Sequence, residues 1–448
     1  MLSPPDADLV RLDPALPGLA TLLDPDAFVT ALRSSLSEAD LGTAQSTYVR
    51  YKPGMNCLVA YRLKVAGATV ELYAKAYRPN AEVKLRKARG RSSIPGLLGP
   101  GRIVLEDRAI VVSVFPNDSK LKALRRLADA ETRKRLLREL LPDRPDLWKG
   151  MVRSLRYKPE RRYVAQLLTD DGVQAVLRVY TGPGYQAAQG NANALGSRGL
   201  LRLARQLGRS DRHRILAFEW LSGRLLSEAI SDPKLDFEVV ATVGAALAKL
   251  HAQDSKGLTC LTREAEVDTL LEVAAGVGFV CPHLARRAHD LAQRLAAQLV
   301  NEHPVNRPIH GDFYAKQVLL ADDTVALLDF DEAVRGDPAA DLGLFIAHLE
   351  RDTLRSNLSP SRMEPLREAL LEGYRVTTHH PIPTRIELYT AAGLFRLAPD
   401  PFRHREPNWP ERTEAILERA KAILEKGPAP SSQQVIQNRT LRSINDKP

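Results

Sequence analysis

The stretch IHGDFYAKQVLL (Ile309–Leu320) is followed shortly by LLDFDEA (Leu327–Ala333), so Asp312 stands behind a His-Gly pair while Asp329 and Asp331 close an apolar run. An unpaired carboxylate in a buried strand costs several kcal/mol or more, and a bound cation is a natural way to offset that cost. Phosphoryl transfer from ATP uses parts of this kind. One carboxylate, here Asp312, orients an acceptor hydroxyl and takes its proton. Another, Asp329, would hold a magnesium ion that bridges the phosphates. Magnesium favours oxygen ligands and binds through one or two carboxylates, and the amide oxygen of Gln317 could complete the set.

These residues need a scaffold that gathers them. PIHGDFYAKQVLL reads as a strand, a loop and a second strand, and TVALLDF (Thr324–Phe330) as a strand returned by a turn at Ala-Asp-Asp. Such a hairpin brings Asp312, Gln317 and Asp329 to one end. Upstream, RYKPGMNCLVAYRL begins at Arg50 and RYKPERRYVAQLL at Arg156. Each repeat continues into an alternating strand, a third strand (Val70–Arg78 and Val173–Thr181), a helix-compatible stretch and further strands. Self-similarity of this kind predicts a duplicated β-rich lobe, over 45–141 and 152–232. From Asp236 onward the apolar residues recur at helical spacing, as in DFEVVATVGAALAKLHAQ and HLARRAHDLAQRLAAQLV. The tail GPAPSSQQVIQNRTLRSINDKP has no periodicity and reads as disordered.

Composition narrows the class. The chain has 448 residues, 44% of them hydrophobic and 26% charged, which suits a multi-domain globular protein. Its three cysteines are widely separated and none has zinc-ligand spacing, so reduced thiols in a cytoplasm are expected. The start, MLSPPDADLV, lacks the pattern of a signal peptide, and no apolar run approaches the ~20 residues of a membrane span. The net charge of +10 points to an anionic ligand or partner. Much of it falls in KLRKARGR (Lys84–Arg91) and in Lys120–Leu140, which read as solvated helix faces. No zinc-finger or RNA-binding signature accompanies that charge, so nucleic acid is not the expected partner.

His310-Gly311-Asp312 with Asp329 at the following strand end resembles the aminoglycoside phosphotransferase and choline kinase-like family, a branch of the protein-kinase-like fold. GDPAADLG (Gly336–Gly343), EWLSGRLL (Glu219–Leu226) and ALAKLH (Ala246–His251) resemble that family's next segment, interlobe hinge and preceding helix. The resemblance covers about 150–425. It implies an α+β bilobal fold with a small antiparallel β N-lobe and a helical C-lobe, preceded here by an additional N-lobe-like domain. The expected divisions are 1–145 (accessory), 152–232 (N-lobe with hinge), 233–426 (C-lobe) and 427–448 (tail). The implied activity is ATP-dependent transfer to a small-molecule hydroxyl, with Mg2+ as cofactor. Asp312 would be the base and Asp329 the main metal ligand. His310 would hold the loop, Asp341 would brace it and Asp331 would support the site, while Glu219 and Trp220 would flank the nucleotide.

Three positions depart from the family pattern. Gln317 replaces an Asn. Arg178 stands where a phosphate-binding Lys is usual, and no acidic residue follows it in the next helix-compatible stretch. The nucleotide loop lacks glycines and offers Lys158, Arg161 and Arg162 instead. Lys75, with Glu82 after it, occurs in the first repeat. These departures keep open a nucleotide-binding pseudokinase, and the basic first lobe keeps open a protein partner or a peptide substrate. Acceptor-site candidates are Tyr314, His348, Glu350, Arg351 and Trp409. No acidic clustering suited to a polycationic aminoglycoside is evident.

Overall fold

The computed structural model describes residues 2–36, 40–254, 257–321, 324–378 and 383–426. The expected tail at 427–448, and two residues of the expected Ala-Asp-Asp turn, lie outside them. The first repeat forms strands β1 (Leu41–Lys52), β2 (Asn56–Val65), β3 (Ala68–Tyr77), β4 (Arg102–Leu105) and β5 (Ile110–Val114). The second forms β6 (Met151–Lys158), β7 (Arg162–Thr169), β8 (Gly172–Tyr180), β10 (Gln206–Ser210) and β11 (Ile215–Glu219), with β9 (Leu201–Leu203) joining another sheet. The two five-stranded sheets run β1-β2-β3-β5-β4 and β6-β7-β8-β11-β10, so both place the last strand beside the third. In each a helix follows the third strand, Glu82–Arg89 in one and Gly182–Asn191 in the other. The repeated RYKP segments therefore mark two sheets with one topology.

The remaining strands, β12 (Arg224–Leu225), β13 (Arg307–Ile309), β14 (Val318–Ala321), β15 (Thr324–Leu327) and β16 (Val334–Gly336), lie among helices. β14 and β15 form the expected hairpin in the register Val318↔Leu327, and β9 adds to it in parallel. β13 pairs with β16. The helix Pro338–Leu354 starts on an Asp337 cap with proline in its first turn. It is buried on nearly every side from Pro338 to Arg351, so it forms the centre of the helical lobe. Helices Glu238–His251 and Pro360–Thr378 approach closely because each presents a glycine. A Cβ at Gly244 would lie 2.0 Å from the Leu370 carbonyl oxygen, and one at Gly373 would lie 1.8 Å from that of Ala241.

The apolar packing corrects one expected division. Leu124, Leu127, Leu136, Leu137 and Leu140 pack with Ala165, Leu177 and Ile215 of the second sheet. The expected boundary at residue 145 thus cuts through a packed unit, and the division falls more naturally before Leu121. The expected reading of Lys120–Leu140 as a solvated face holds for its charges, while its leucines are buried against the second sheet. The first sheet has a different neighbour. Its Val59, Leu72 and Val112 belong to the same continuous core as Val243, Leu291 and Phe395 of the C-terminal helices.

Candidate active site

The catalytic-loop candidate is fixed from behind. Asp341, 1% exposed on the central helix, accepts the backbone N–H groups of His310 (2.7 Å) and Gly311 (2.9 Å). His251, at the end of its helix, lies 3.0 Å from the same carboxylate and 3.0 Å from the Tyr374 hydroxyl. His310 Nε2 sits 2.7 Å from the Leu328 carbonyl, which ties the loop to the end of β15. Gly311 has φ +79°, and a Cβ there would meet the Glu332 carbonyl oxygen at 2.2 Å, so only glycine lets the two loops pass. Asp312 is thereby held in a half-buried position. Burial raises its pKa, with the charges of Asp329 and Glu332 adding to the rise and those of His310 and Arg396 opposing it.

Asp329 follows β15 in the left-handed region at φ +69°, ψ +61°, a costly conformation for a residue other than glycine and one that clusters at functional sites. Its carboxylate is clamped. Arg162 donates to both oxygens, at 2.7 and 2.9 Å, and Arg178 donates to Oδ1 at 2.8 Å. Asp331 accepts from Arg162, from Arg178 at 3.3 Å and from the Tyr180 hydroxyl at 2.9 Å. Two carboxylates thus face two guanidiniums in a half-buried cluster. Burial works to raise the Asp329 pKa, but Arg178 and Arg162 outweigh it and hold it well below the usual carboxylate range. Gln317, 6% exposed, points its amide nitrogen at Asp329 Oδ2, 3.5 Å away. Asn191, from the helix after β8, donates to the carbonyls of Phe330, Asp331 and Ala333. It ties that helix to the segment after Asp329, whereas the carboxylates that pair with Arg178 are Asp329 and Asp331 rather than a residue of the helix.

Magnesium would find hard oxygen donors here in Asp329 and the Gln317 amide, the type of ligand it prefers. Both Asp329 oxygens, however, already accept from guanidiniums, so the ion and the clamp exclude each other. No cluster of three His, Cys, Asp or Glu side chains suited to a metal occurs among the described residues.

Beside this cluster lies a cleft of about 430 Å³ between the second sheet and the helical lobe. Leu155, Val164 and Val176 line it on one side and Leu319 and Leu327 on the other, with Glu219, Trp220 and Leu221 along its edge and Arg178, Asp329 and Asp331 also on its wall. A flat apolar slot that ends on charged groups suits a base joined to phosphates. The Glu219 carboxylate accepts the Arg205 backbone N–H at 3.1 Å, so this hinge residue is partly spent within the protein.

The loop between β6 and β7 divides its residues. Arg161 is exposed, while Arg162 and Lys158 are half-buried. Burial lowers the Lys158 pKa to about 8, with Arg156, Arg162 and Arg161 adding to the drop and Asp312 opposing it. Below that value Lys158 is charged, and a bound phosphate would raise its pKa further. Nucleotide affinity is therefore expected to stay level up to about pH 8 and to fall as pH rises beyond it. Fluorescence titration with ADP from pH 7 to 10 checks this, and Lys158→Arg should flatten the curve.

Several acceptor candidates have other duties. Glu350 is gripped by Arg419 at 2.7 and 2.8 Å, Arg351 pairs with Asp352 at 3.1 Å, and the buried Trp409 packs edge-on against Phe402. Tyr314 stacks on His348 at 4.2 Å. Burial pushes the His348 pKa well down, and the neighbouring Arg351, Arg355, Lys316 and Arg396 push it further. Sequence reasoning did not single out Tyr180, Asn191 or Arg396. Tyr180 could have been found from strand alternation, since it lies two residues beyond Arg178 and so on the same face of β8.

A family model described as the phosphotransferase enzyme family matches residues 159–389, just over half of the chain. The chain belongs to that family, whose chemistry is phosphoryl transfer to a hydroxyl group. No curated protein matches the chain. Among solved structures it is similar to a choline/ethanolamine kinase family protein from Mesorhizobium loti (17% identity, TM-score 0.42, covering 62% of this chain and 88% of that one). It is also similar to a macrolide 2'-phosphotransferase from Brachybacterium faecium (20%, 0.39, 59% and 91%) and to a choline kinase from Cryptosporidium parvum Iowa II (10%, 0.46, 66% and 96%). No helix among the described residues is long and apolar enough to cross a membrane.

Proposed function

We propose that the chain transfers the γ-phosphoryl group of a nucleoside triphosphate, ATP in the first instance, to a hydroxyl of a neutral or anionic small molecule. The observation that carries this reading is the rigidly braced Asp312 close to a cleft that ends on Asp329. Asp312 takes the acceptor proton, the apolar slot holds the base, and Arg178, Arg162 and Lys158 meet the phosphates. With Arg162 and Arg178 turned from Asp329 to the phosphates, Asp329 and Gln317 would hold magnesium, which when bound supplies positive charge to the phosphate oxygens.

The charge near Asp312 supports the acceptor class. Arg396 and Lys158 act on it directly, and Arg156 and Lys316 lie by the adjoining Tyr314–His348 stack, where Arg351 and Arg355 are already paired with Asp352 and Glu406. A polycationic antibiotic would be repelled there. The expected protein partner on the first lobe gains no such support, because that lobe buries apolar residues in the molecule's own core. One observation favours a second reading, a nucleotide-binding pseudokinase: the clamp occupies both oxygens of Asp329. A screen of sugars, sugar acids, amino alcohols and aminoglycosides with γ-labelled ATP decides between the two. Labelled product from a neutral or acidic alcohol is expected. Nucleotide binding without transfer to any acceptor would favour the pseudokinase.

A further inference from the structure

The first sheet contains a cavity that the proposed chemistry leaves unused. It measures about 160 Å³ and is lined by Lys75, Lys84, Lys87, Arg91 and Arg102, with Glu160 as the carboxylate among them. Its place matches that of the catalytic cleft. Lys75 lies two residues before the terminal Tyr77 of β3, as Arg178 lies two before the terminal Tyr180 of β8. The helix that follows supplies cavity residues in both lobes, Lys84 and Lys87 here and Asn191 there.

The two cations also have matching partners. Arg178 meets Asp329 across the catalytic cleft. Lys75 meets Glu160 of the neighbouring lobe at 2.7 Å, and that carboxylate is 3% exposed and also held by Arg50 at 2.7 Å and by Ser119 at 2.9 Å. The difference lies in the charge balance. Arg50 and Lys75 already neutralise Glu160, so Lys84, Lys87, Arg91 and Arg102 remain as excess positive charge around a small space. Within it Arg102 buries its Nη1 without a hydrogen-bond partner among the described residues. A space of this size accepts a phosphate or pyrophosphate group, and the excess charge matches a multiply charged anion.

We propose that this cavity is a second ligand site for a small phosphate-bearing anion, and that the catalytic lobe reads its occupancy through Glu160. Glu160 belongs to the same β6–β7 loop as Lys158 and Arg162. An anion that draws Lys75 towards itself weakens the hold on Glu160 and so on the loop that clamps Asp329. Linkage then requires nucleotide and anion to alter each other's affinity by the same factor.

The test uses the full chain, inorganic pyrophosphate and no magnesium, read by titration calorimetry, with ADP affinity measured in parallel. Lys84, Lys87 and Arg91 are exposed, so K84A/K87A/R91A leaves the buried pair and the catalytic groups in place. Pyrophosphate affinity is expected to fall at least ~10-fold in the triple variant, while ADP affinity without pyrophosphate stays unchanged. In the wild type, pyrophosphate should change ADP affinity by more or less than simple competition at the nucleotide site gives, and in the variant it should show competition alone. Equal pyrophosphate affinity in the two proteins, or none in either, would overturn the site. A lost site with no change in the ADP response would overturn the coupling through Glu160. Neither readout requires phosphoryl transfer, so failure here is distinct from failure of the proposed activity.

Discussion

Asp312→Asn is expected to lower kcat by about 10²- to 10⁴-fold, the usual contribution of a positioned general base, with ADP affinity unchanged. The substitution keeps the shape of the side chain and removes its capacity to take a proton. Asp312 is spared the ion pairs that engage Asp329 and Asp331, and the loop that carries it is held by Asp341 and His310 rather than by its own carboxylate. The loop should therefore survive the change. The wild-type rate should show a matching acid limb. Burial raises the Asp312 pKa above the ordinary carboxylate value of ~4. The deprotonated base and the rate are both lost as pH falls through that raised value. Steady-state kinetics on both proteins, with the acceptor found in the screen, checks both points. Wild-type turnover in Asp312→Asn would remove Asp312 from the role of base.

Arg178→Leu is expected to destabilise the protein by about 3–5 kcal/mol, the range for removing one partner from a buried ion pair. The side chains of Arg178, Asp329, Asp331 and Arg162 are each less than 20% exposed. With Arg178 gone, Asp329 and Asp331 share one guanidinium, and the second negative charge stays buried without compensation. Replacing Asp329 as well should restore part of the loss, because it removes the stranded charge. Urea unfolding of the two single variants and the double variant measures this coupling. A cost below about 1 kcal/mol, the range of solvated surface pairs, would show that water reaches the cluster. The variant also bears on the metal question, since it frees one of the positions that now compete for Asp329.

Much of this molecule could be read before its fold was known, though unevenly. The repeated RYKP segments announced two lobes because hairpin strands follow from local alternation and turn residues. The reading of Asp312, Gln317 and Asp329 as neighbours came from the same kind of short-range logic across one hairpin. What could not be read were pairings between distant segments. Arg162 and Asp329 are separated by 167 positions, and nothing local in either stretch names the other. The charges of 120–140 read as a solvated face, and nothing local in that stretch names the second sheet that covers its leucines. Glu350 looked open to solvent or a ligand because helix periodicity cannot reveal that Arg419 reaches it first.

The position of the first lobe has a mechanical consequence. It grips the second sheet through Arg50 and Lys75 at Glu160. It grips the helical half through the Asp6–Arg405 pair and through Tyr51 against Phe279 and Phe402. Two plates joined along a single edge swing freely, whereas a brace fastened to both turns the assembly into a triangle. Any rocking that opens or shuts the catalytic slot must stretch or slide one of those fastenings. A lobe so placed is expected to stiffen the cleft, and cutting the Asp6–Arg405 fastening should make product escape easier without touching a group that handles substrate.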